Sequence, residues 1–322
     1  MDTNILEVNH LTTRFPTAQG DVLPVNDVSL KVKKGGIVGV VGESGCGKSM
    51  TARSIMRLLK YPGEIVSGEA LLEGKNLLEL SEREMAQVRG SSISMIFQEP
   101  MTSLNPVMKV GKQVREAMLL HRNVTAKQAK EEVLAMFERV GISEPQKRYD
   151  AYPHELSGGL RQRVMIAMAM ICRPKLLIAD EPTTALDVTV EAQILELMRR
   201  LRDETGAGII LISHNIGVVA QICDSIYVMY GGRIVEQAET FELFAHPSHP
   251  YTAGLLRAVR SLENCADRLA TIPGAVPLLN ALPKGCGFAP RCERRCEGCG
   301  ECVPEMIEIA EGHLVRCVEG TA

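Results

Sequence analysis

Residues 42 to 49 read Gly42-Glu43-Ser44-Gly45-Cys46-Gly47-Lys48-Ser49, directly after the apolar run Ile37 to Val41 and directly before a helix-compatible stretch reaching Leu59. G-x-x-x-x-G-K-S set between a strand and a helix predicts a loop that cradles phosphates. The glycines let the backbone curl until successive N–H groups and the helix N-terminus face one anion. Lys48 is expected to reach the β and γ phosphates of a nucleotide and Ser49 to ligate Mg²⁺, with Gly42, Ser44, Gly45, Cys46, Gly47 and Met50 completing the nucleotide-binding stretch. The Cys46 side chain occupies a free position of that loop.

A phosphate loop needs an acidic strand end as its partner. Leu176-Leu177-Ile178-Ala179-Asp180-Glu181 supplies one, with Asp180 placed to organise Mg²⁺ and Glu181 to polarise an attacking water. Working outward, Ile209 to Ile212 and Ser225 to Tyr230 are further short apolar runs, of the kind that form strands buried on both faces of a parallel sheet. Thr189 to Glu204 carries Val190, Ile194, Leu197, Met198 and Leu201 at helical spacing and is followed by the stop signals Gly206 and Gly208. Strand, helix, strand predicts an α/β fold. Tyr230-Gly231-Gly232-Arg233 predicts a tight hairpin.

Between Gly90 and Pro153 the texture changes, since Val110 to Leu120 and Ala126 to Val140 read as amphipathic helices with no strand between them. This is a helical insertion. His246-Pro247-Ser248-His249-Pro250 breaks regular structure, and Thr252 to Leu262 forms one more helix. From Pro273 the chain is rich in Pro, Gly and Cys and cannot bury a core alone.

The 322 residues suggest about two domains at roughly 150 residues each. Thirty-six basic against 39 acidic residues leave a net charge of −3, which gives no positive field to hold nucleic acid. Met1 to Phe15 mixes Asp2, Glu7 and Arg14 with apolar residues and does not read as a secretory signal. The longest apolar run, around Val164 to Cys172, is about half the ~20 residues a membrane-spanning helix needs. Six of the 10 cysteines crowd the last 37 residues, and without an export signal they read as a metal site before disulfides.

Leu156-Ser157-Gly158-Gly159-Leu160-Arg161-Gln162-Arg163 resembles the signature of ABC ATPases, LSGGQ followed by a basic-Gln-Arg run, with Leu160 in place of the commonest Gln. Ser157 also suits a helix N-cap, and the two roles use the same exposed amides. The remaining landmarks of that family follow in order. Gln98 resembles the Q-loop glutamine that senses Mg²⁺ and water, Thr184-Ala185-Leu186-Asp187 the D-loop, and Ser213-His214 the switch histidine that contacts the γ-phosphate. Phe15 is placed as the aromatic that stacks on adenine.

The resemblance implies an ABC-type P-loop ATPase with a RecA-like core, an antiparallel β-subdomain, a helical subdomain over about residues 90–155, and a small Cys-rich extension. The nucleotide-binding domain is expected over 1–245 and the extension over 246–322. It also implies that Ser157, Gly158 and Gly159 act in trans, so that ATP lies between the phosphate loop of one subunit and the signature of another.

Gln98 to Pro106, His249 to Leu256 and Gly285-Cys286-Gly287-Phe288-Ala289-Pro290-Arg291-Cys292 are similar to the peptide and nickel importer branch, most of all its D-type subunits. That implies import of dipeptides or oligopeptides, a second ATPase subunit of F type, two transmembrane permeases contacted near Glu99 to Pro106, an extracytoplasmic peptide-binding protein, and a peripheral place at the cytoplasmic face of the membrane. Nickel or metal-chelate import is the alternative cargo. A soluble ABC ATPase of nucleic acid is disfavoured by the absence of paired cassettes, heptads and basic arms.

Read locally, Cys292, Cys296, Cys299 and Cys302 follow C-x₃-C-x₂-C-x₂-C, near ferredoxin spacings. The family offsets select Cys286, Cys292, Cys299 and Cys317 instead, leaving Cys296 and Cys302 as extras. Four thiolates hold either a 4Fe–4S cluster or Zn²⁺, and the resemblance implies the 4Fe–4S cluster in a structural role.

Overall fold

Ile37–Val41 is buried along its whole length, as a parallel strand covered on both faces must be. The computed structural model describes residues 3–99, 103–184, 186–263 and 271–318, and the side chains of 260–263 are outside the description. The chain forms two compact units. One is Glu79–Leu211 with the short stretches Met1–Ile5 and Lys33–Gly36; the other is Leu6–Val32, Ile37–Leu78 and Ile212–Ala322.

In the second unit Ile37–Val41 pairs in parallel with Ser225–Tyr230, Val38 opposite Ser225 and Val41 opposite Val228. Ser225–Tyr230 then turns into the antiparallel strand Arg233–Glu239. The hairpin predicted at Tyr230 to Arg233 is present: Gly231 and Gly232 have φ of 54° and 83°, the left-handed pair a two-residue turn of this twist requires. Arg233–Glu239 pairs in turn with His313–Val315, which pairs with Ile307–Ala310. Residues 246–322 therefore belong to the same compact unit as the phosphate loop, because their last strands extend its sheet. A separate antiparallel sheet has the order Gly20–Lys33, Asn4–Thr17, Glu64–Leu72, Lys75–Asn76.

The first unit pairs Ile93–Ile96 in parallel with Leu176–Asp180. The helix Gly158–Met170 packs against Ile93–Ile96. Val110–His121 and Ala126–Arg139 bury Val110, Val114 and Met118 against Ala129, Val133 and Phe137, the apolar faces read from their spacing. The second starts at a capping box in which Thr125 and Gln128 satisfy each other's backbone N–H groups. Val188–Thr205 buries Ile194, Leu195, Leu197, Met198 and Leu201 and ends where Gly206 turns left-handed at φ 68°. Among the described residues no helix is long and apolar enough to cross a membrane.

Candidate functional site: a nucleotide-phosphate loop and an acidic strand end

Gly42, Gly45 and Gly47 have φ of 154°, 80° and 110°, values that side chains resist. Two of these positions are also closed by backbone: an added Cβ would lie 2.2 Å from the Met229 carbonyl at Gly42 and 1.9 Å from the Pro24 carbonyl at Gly47. At Gly45 an added Cβ would meet nothing within 4 Å, so there the backbone conformation alone calls for glycine. Gly47 caps the helix Lys48–Ile55. Lys48 is buried, and its ammonium donates to the Gly42 carbonyl at 2.7 Å and the Glu43 carbonyl at 3.1 Å, folding back along the loop.

The Gly232 N–H donates to the Cys46 carbonyl at 2.9 Å, tying the loop to the hairpin. Cys46 is 1% exposed and burial pushes its thiol up, so its side chain belongs to the core and only its backbone can serve a nucleotide. Ser49 and Met50 lie in the first helical turn. His214 is exposed in the same unit, just past the buried strand Gly208–Ser213. Phe15 packs against Gly63, where an added Cβ would fall 2.4 Å from its ring.

In the first unit Asp180 ends its strand 1% exposed, followed by Glu181 at φ 48°. A non-glycine residue held left-handed is strained, and such strain gathers where a side chain must be aimed. Glu181 Oε2 accepts from Gln98 Nε2 at 3.0 Å and from the Thr184 hydroxyl at 2.9 Å. The Q-loop glutamine and the acid read from sequence are thus brought together, and Thr184 joins them through its side chain.

Ser157 caps the helix Gly158–Met170, accepting from the Leu160 N–H at 3.4 Å, while Ser157 and Gly158 stay exposed. Gly159 sits so close to Val190 that a Cβ would meet its Cγ1 at 3.0 Å. Asp187 caps Val188–Thr205 by accepting from the Val190 N–H at 2.9 Å, a structural role its D-loop reading did not include. Ala185, the Pro100 to Thr102 part of the permease segment, and Cys265 lie outside the described residues.

Sequence reasoning missed a group around Glu43. The Glu43 carboxylate is held by Arg291, and its N–H donates to the Tyr251 hydroxyl at 2.8 Å. Both partners fall in segments noted only for resemblance.

In the Cys-rich segment Cys299 is buried, and Cys286, Cys292, Cys296 and Cys317 are partly so. The Cys286 N–H donates to the Cys299 carbonyl at 2.8 Å. Cys296 Sγ lies 3.3 Å from Cys299 Sγ, although the family offsets leave Cys296 out. Burial, then the charges of Cys317 and Cys296, push the Cys286 thiol up; burial together with neighbouring Cys296 and Cys286 pushes Cys299 up to about 11. Among the described residues no group of three or more His, Cys, Asp or Glu side chains is placed to hold a metal ion.

A phosphate loop, an acidic strand end and a signature-capped helix on parallel-strand units define an ATPase of the ATP-binding cassette type. Residues 25–184 match the ABC transporter family, and residues 235–299 match the oligopeptide/dipeptide transporter C-terminal region. The oligopeptide transport ATP-binding protein OppD of Haemophilus influenzae is 50% identical, over 97% of this chain and 96% of its own. That of Salmonella typhimurium is 50% identical over 97% and 93%. Among solved structures, a dimeric bacterial ABC transporter cassette superposes with a TM-score of 0.66 at 25% identity over 73% of this chain and 98% of its own. CbiO1 of Clostridium perfringens, part of an ABC transporter complex, gives 0.65 at 28% over 77% and 92%. The chain belongs to the ABC transporter ATP-binding family, in the branch of the oligopeptide transport ATP-binding proteins.

Proposed function

We propose that this chain is the ATP-hydrolysing subunit that powers import of dipeptides or oligopeptides through separate transmembrane permeases. The observation that carries the reading is the match of residues 235–299 to the oligopeptide/dipeptide transporter C-terminal region, together with near-full-length similarity to oligopeptide transport subunits. Residues 1–245 act as the nucleotide-binding domain, with 90–155 as its helical part, and 246–322 as the extension.

In this reading Gly42 and Ser44 to Met50 bind the phosphates, Lys48 and His214 stabilise the transferred phosphoryl group, and Phe15 stacks on adenine. Water, polarised by Glu181, attacks the γ-phosphorus; the bond to the β–γ bridging oxygen breaks, giving ADP and phosphate. Gln98 and Thr184 hold the Glu181 carboxylate for that task, which their two hydrogen bonds to it support. Mg²⁺, when bound, neutralises charge on the β and γ phosphates. Ser49, Gln98 and Asp180 would hold it, and a hydroxyl, an amide oxygen and a carboxylate form the hard-oxygen donor set that ion prefers. Ser157, Gly158 and Gly159 serve the ATP of a second subunit, with Asp187 at the seam, so the working unit is a dimer, here with an F-type partner.

The subunit sits peripherally on the cytoplasmic face, held by two permeases that an extracytoplasmic binding protein supplies with peptide. Cys286, Cys292, Cys299 and Cys317 would hold the 4Fe–4S cluster that the family offsets imply, with Zn²⁺ as the alternative. The gathering of thiols supports this, and no step is assigned to it.

The test is to tag the chain in its host, solubilise membranes mildly and identify what copurifies. Two polytopic permeases and a second ATPase are expected, and their solute, peptide or nickel chelate, names the cargo. A purely soluble complex, or one carrying nucleic acid, overturns the reading.

A further inference from the structure

Glu43 stands inside the phosphate loop, and a carboxylate there is unfavourable for binding a triphosphate unless its charge is answered. The answer comes from 248 residues away. Arg291 makes two parallel contacts with that carboxylate, Nη1 to Oε2 at 2.6 Å and Nη2 to Oε1 at 3.0 Å. Its side chain is 4% exposed. The remaining donors are spent on the same wall: Nε on the Pro273 carbonyl at 3.0 Å, Nη2 on the Ile272 carbonyl at 3.3 Å and Nη1 on the Tyr230 hydroxyl at 3.4 Å. All five guanidinium N–H groups thus have an acceptor, which fixes the fork in one orientation.

Behind it Tyr230, Tyr251 and Phe288 pack against one another with ring centroids 4.7 to 5.4 Å apart. Tyr251 is fully buried and its hydroxyl accepts the Glu43 N–H. Glu43 is therefore held at its side chain by Arg291 and at its amide by Tyr251, while its carbonyl holds the Lys48 ammonium. The link from Arg291 to Lys48 runs through one residue.

We propose that Arg291 is a positioning residue of the nucleotide site: by neutralising Glu43 and fixing its place, it sets the phosphate loop and Lys48 for ATP, making the C-terminal extension a component of nucleotide affinity. The proposal rests on ATP binding at this loop and is independent of the transported solute.

The test uses the full-length protein and equilibrium titration with a fluorescent ADP and with ATP, alongside KM and kcat for hydrolysis. Arg291→Ala weakens both nucleotides about tenfold and raises KM by a similar factor, with kcat within about twofold of wild type. Arg291→Lys restores charge without the two-point contact and recovers part of the loss. The decisive arm is Arg291→Ala with Glu43→Gln: once the carboxylate is gone Arg291 has nothing to neutralise, so the double variant binds as Glu43→Gln does. Unchanged nucleotide affinity in Arg291→Ala overturns the proposal, and so do losses that multiply in the double variant. A melting curve separates misfolding from weak binding; if Arg291→Ala is unfolded, the Lys and double variants decide. Wild-type protein that binds no nucleotide would instead refute the nucleotide site itself.

Discussion

The Gln98 side-chain amide donates to Glu181 Oε2 over 3.0 Å, joining residues 83 positions apart. With Thr184 on the same oxygen and a left-handed backbone beneath it, the carboxylate is aimed by three independent constraints. A positioned general base contributes roughly 10²- to 10⁴-fold to rate. Glu181→Gln is expected to lower phosphate release by at least about 100-fold and to trap an ATP-bound dimer on size exclusion. Gln98→Ala, which removes only one constraint, should lose less. Wild-type turnover by Glu181→Gln would remove Glu181 from the mechanism.

Ser157 carries two roles that a pair of substitutions can part. Ser157→Ala removes the cap and is expected to cost about 1 kcal/mol of stability. Ser157→Asp preserves capping, since Asp is as good an N-cap, but sets a carboxylate beside the position assigned to a partner's ATP. Normal melting with loss of ATP-dependent dimerisation is the expected result for Ser157→Asp. If that variant dimerises normally, Ser157 is a cap alone.

His249 is fully buried and its Nδ1 accepts the Tyr251 N–H at 3.1 Å, an arrangement open only to neutral imidazole. Burial, assisted by Arg294, lowers its pKa from 6.5 to about 3. Between those values the unfolded chain takes up a proton that the folded chain refuses. Stability from this group is complete above pH 6.5 and lost as pH falls toward about 3. His249→Asn, whose side-chain oxygen can accept the same N–H, should flatten the acid limb of a urea-stability profile; an unaltered limb would assign acid sensitivity elsewhere.

Glu236 is 0% exposed and accepts from Ser248 N–H at 2.7 Å and His249 N–H at 3.0 Å, with His313 Nε2 at 2.8 Å from it. His313 lies on the strand that joins the C-terminal segment to the sheet. Removing one partner of a buried hydrogen-bonded polar group leaves that group under-satisfied, at about 1–3 kcal/mol. His313→Leu is therefore expected to destabilise the protein by roughly that amount in denaturant titration, and adding Glu236→Gln should return part of it. A loss under about 1 kcal/mol would show that the pair contributes little.

For the cysteines, metal content and visible absorbance of protein purified without oxygen give a clear contrast. Cys299→Ser is expected to lose iron and Cys296→Ser to keep it. Because Cys296 Sγ lies 3.3 Å from Cys299 Sγ, the reverse result would move Cys296 into the ligand set.

Much of this protein was legible without coordinates because its signals are local. Gly42, Gly45 and Gly47 take φ values that favour glycine, and runs such as Leu176 to Ala179 are apolar on both faces because both are covered. The helix Val188–Thr205 was readable from its spacing and its terminal Gly206, and the hairpin from two adjacent glycines. These are properties of a few neighbouring residues, so steric and hydrophobic preferences expose them in the chain itself.

Tertiary structure alone decided what depends on which distant groups share a low-dielectric site. Nothing near Glu43 announces that Arg291 will answer its charge, or that Tyr251 will take its amide. The Glu236 and His313 pair is likewise separated by 77 positions. Spacing could not put Cys296 beside Cys299, since the turn at Glu297–Gly300 sets which sulfurs meet. Sequence by itself determined that the chain binds and hydrolyses a nucleotide in the manner of its family. Folding decided that the C-terminal extension reaches back to the phosphate loop, because pairing of buried charges is settled by where the backbone brings them and not by their order along it.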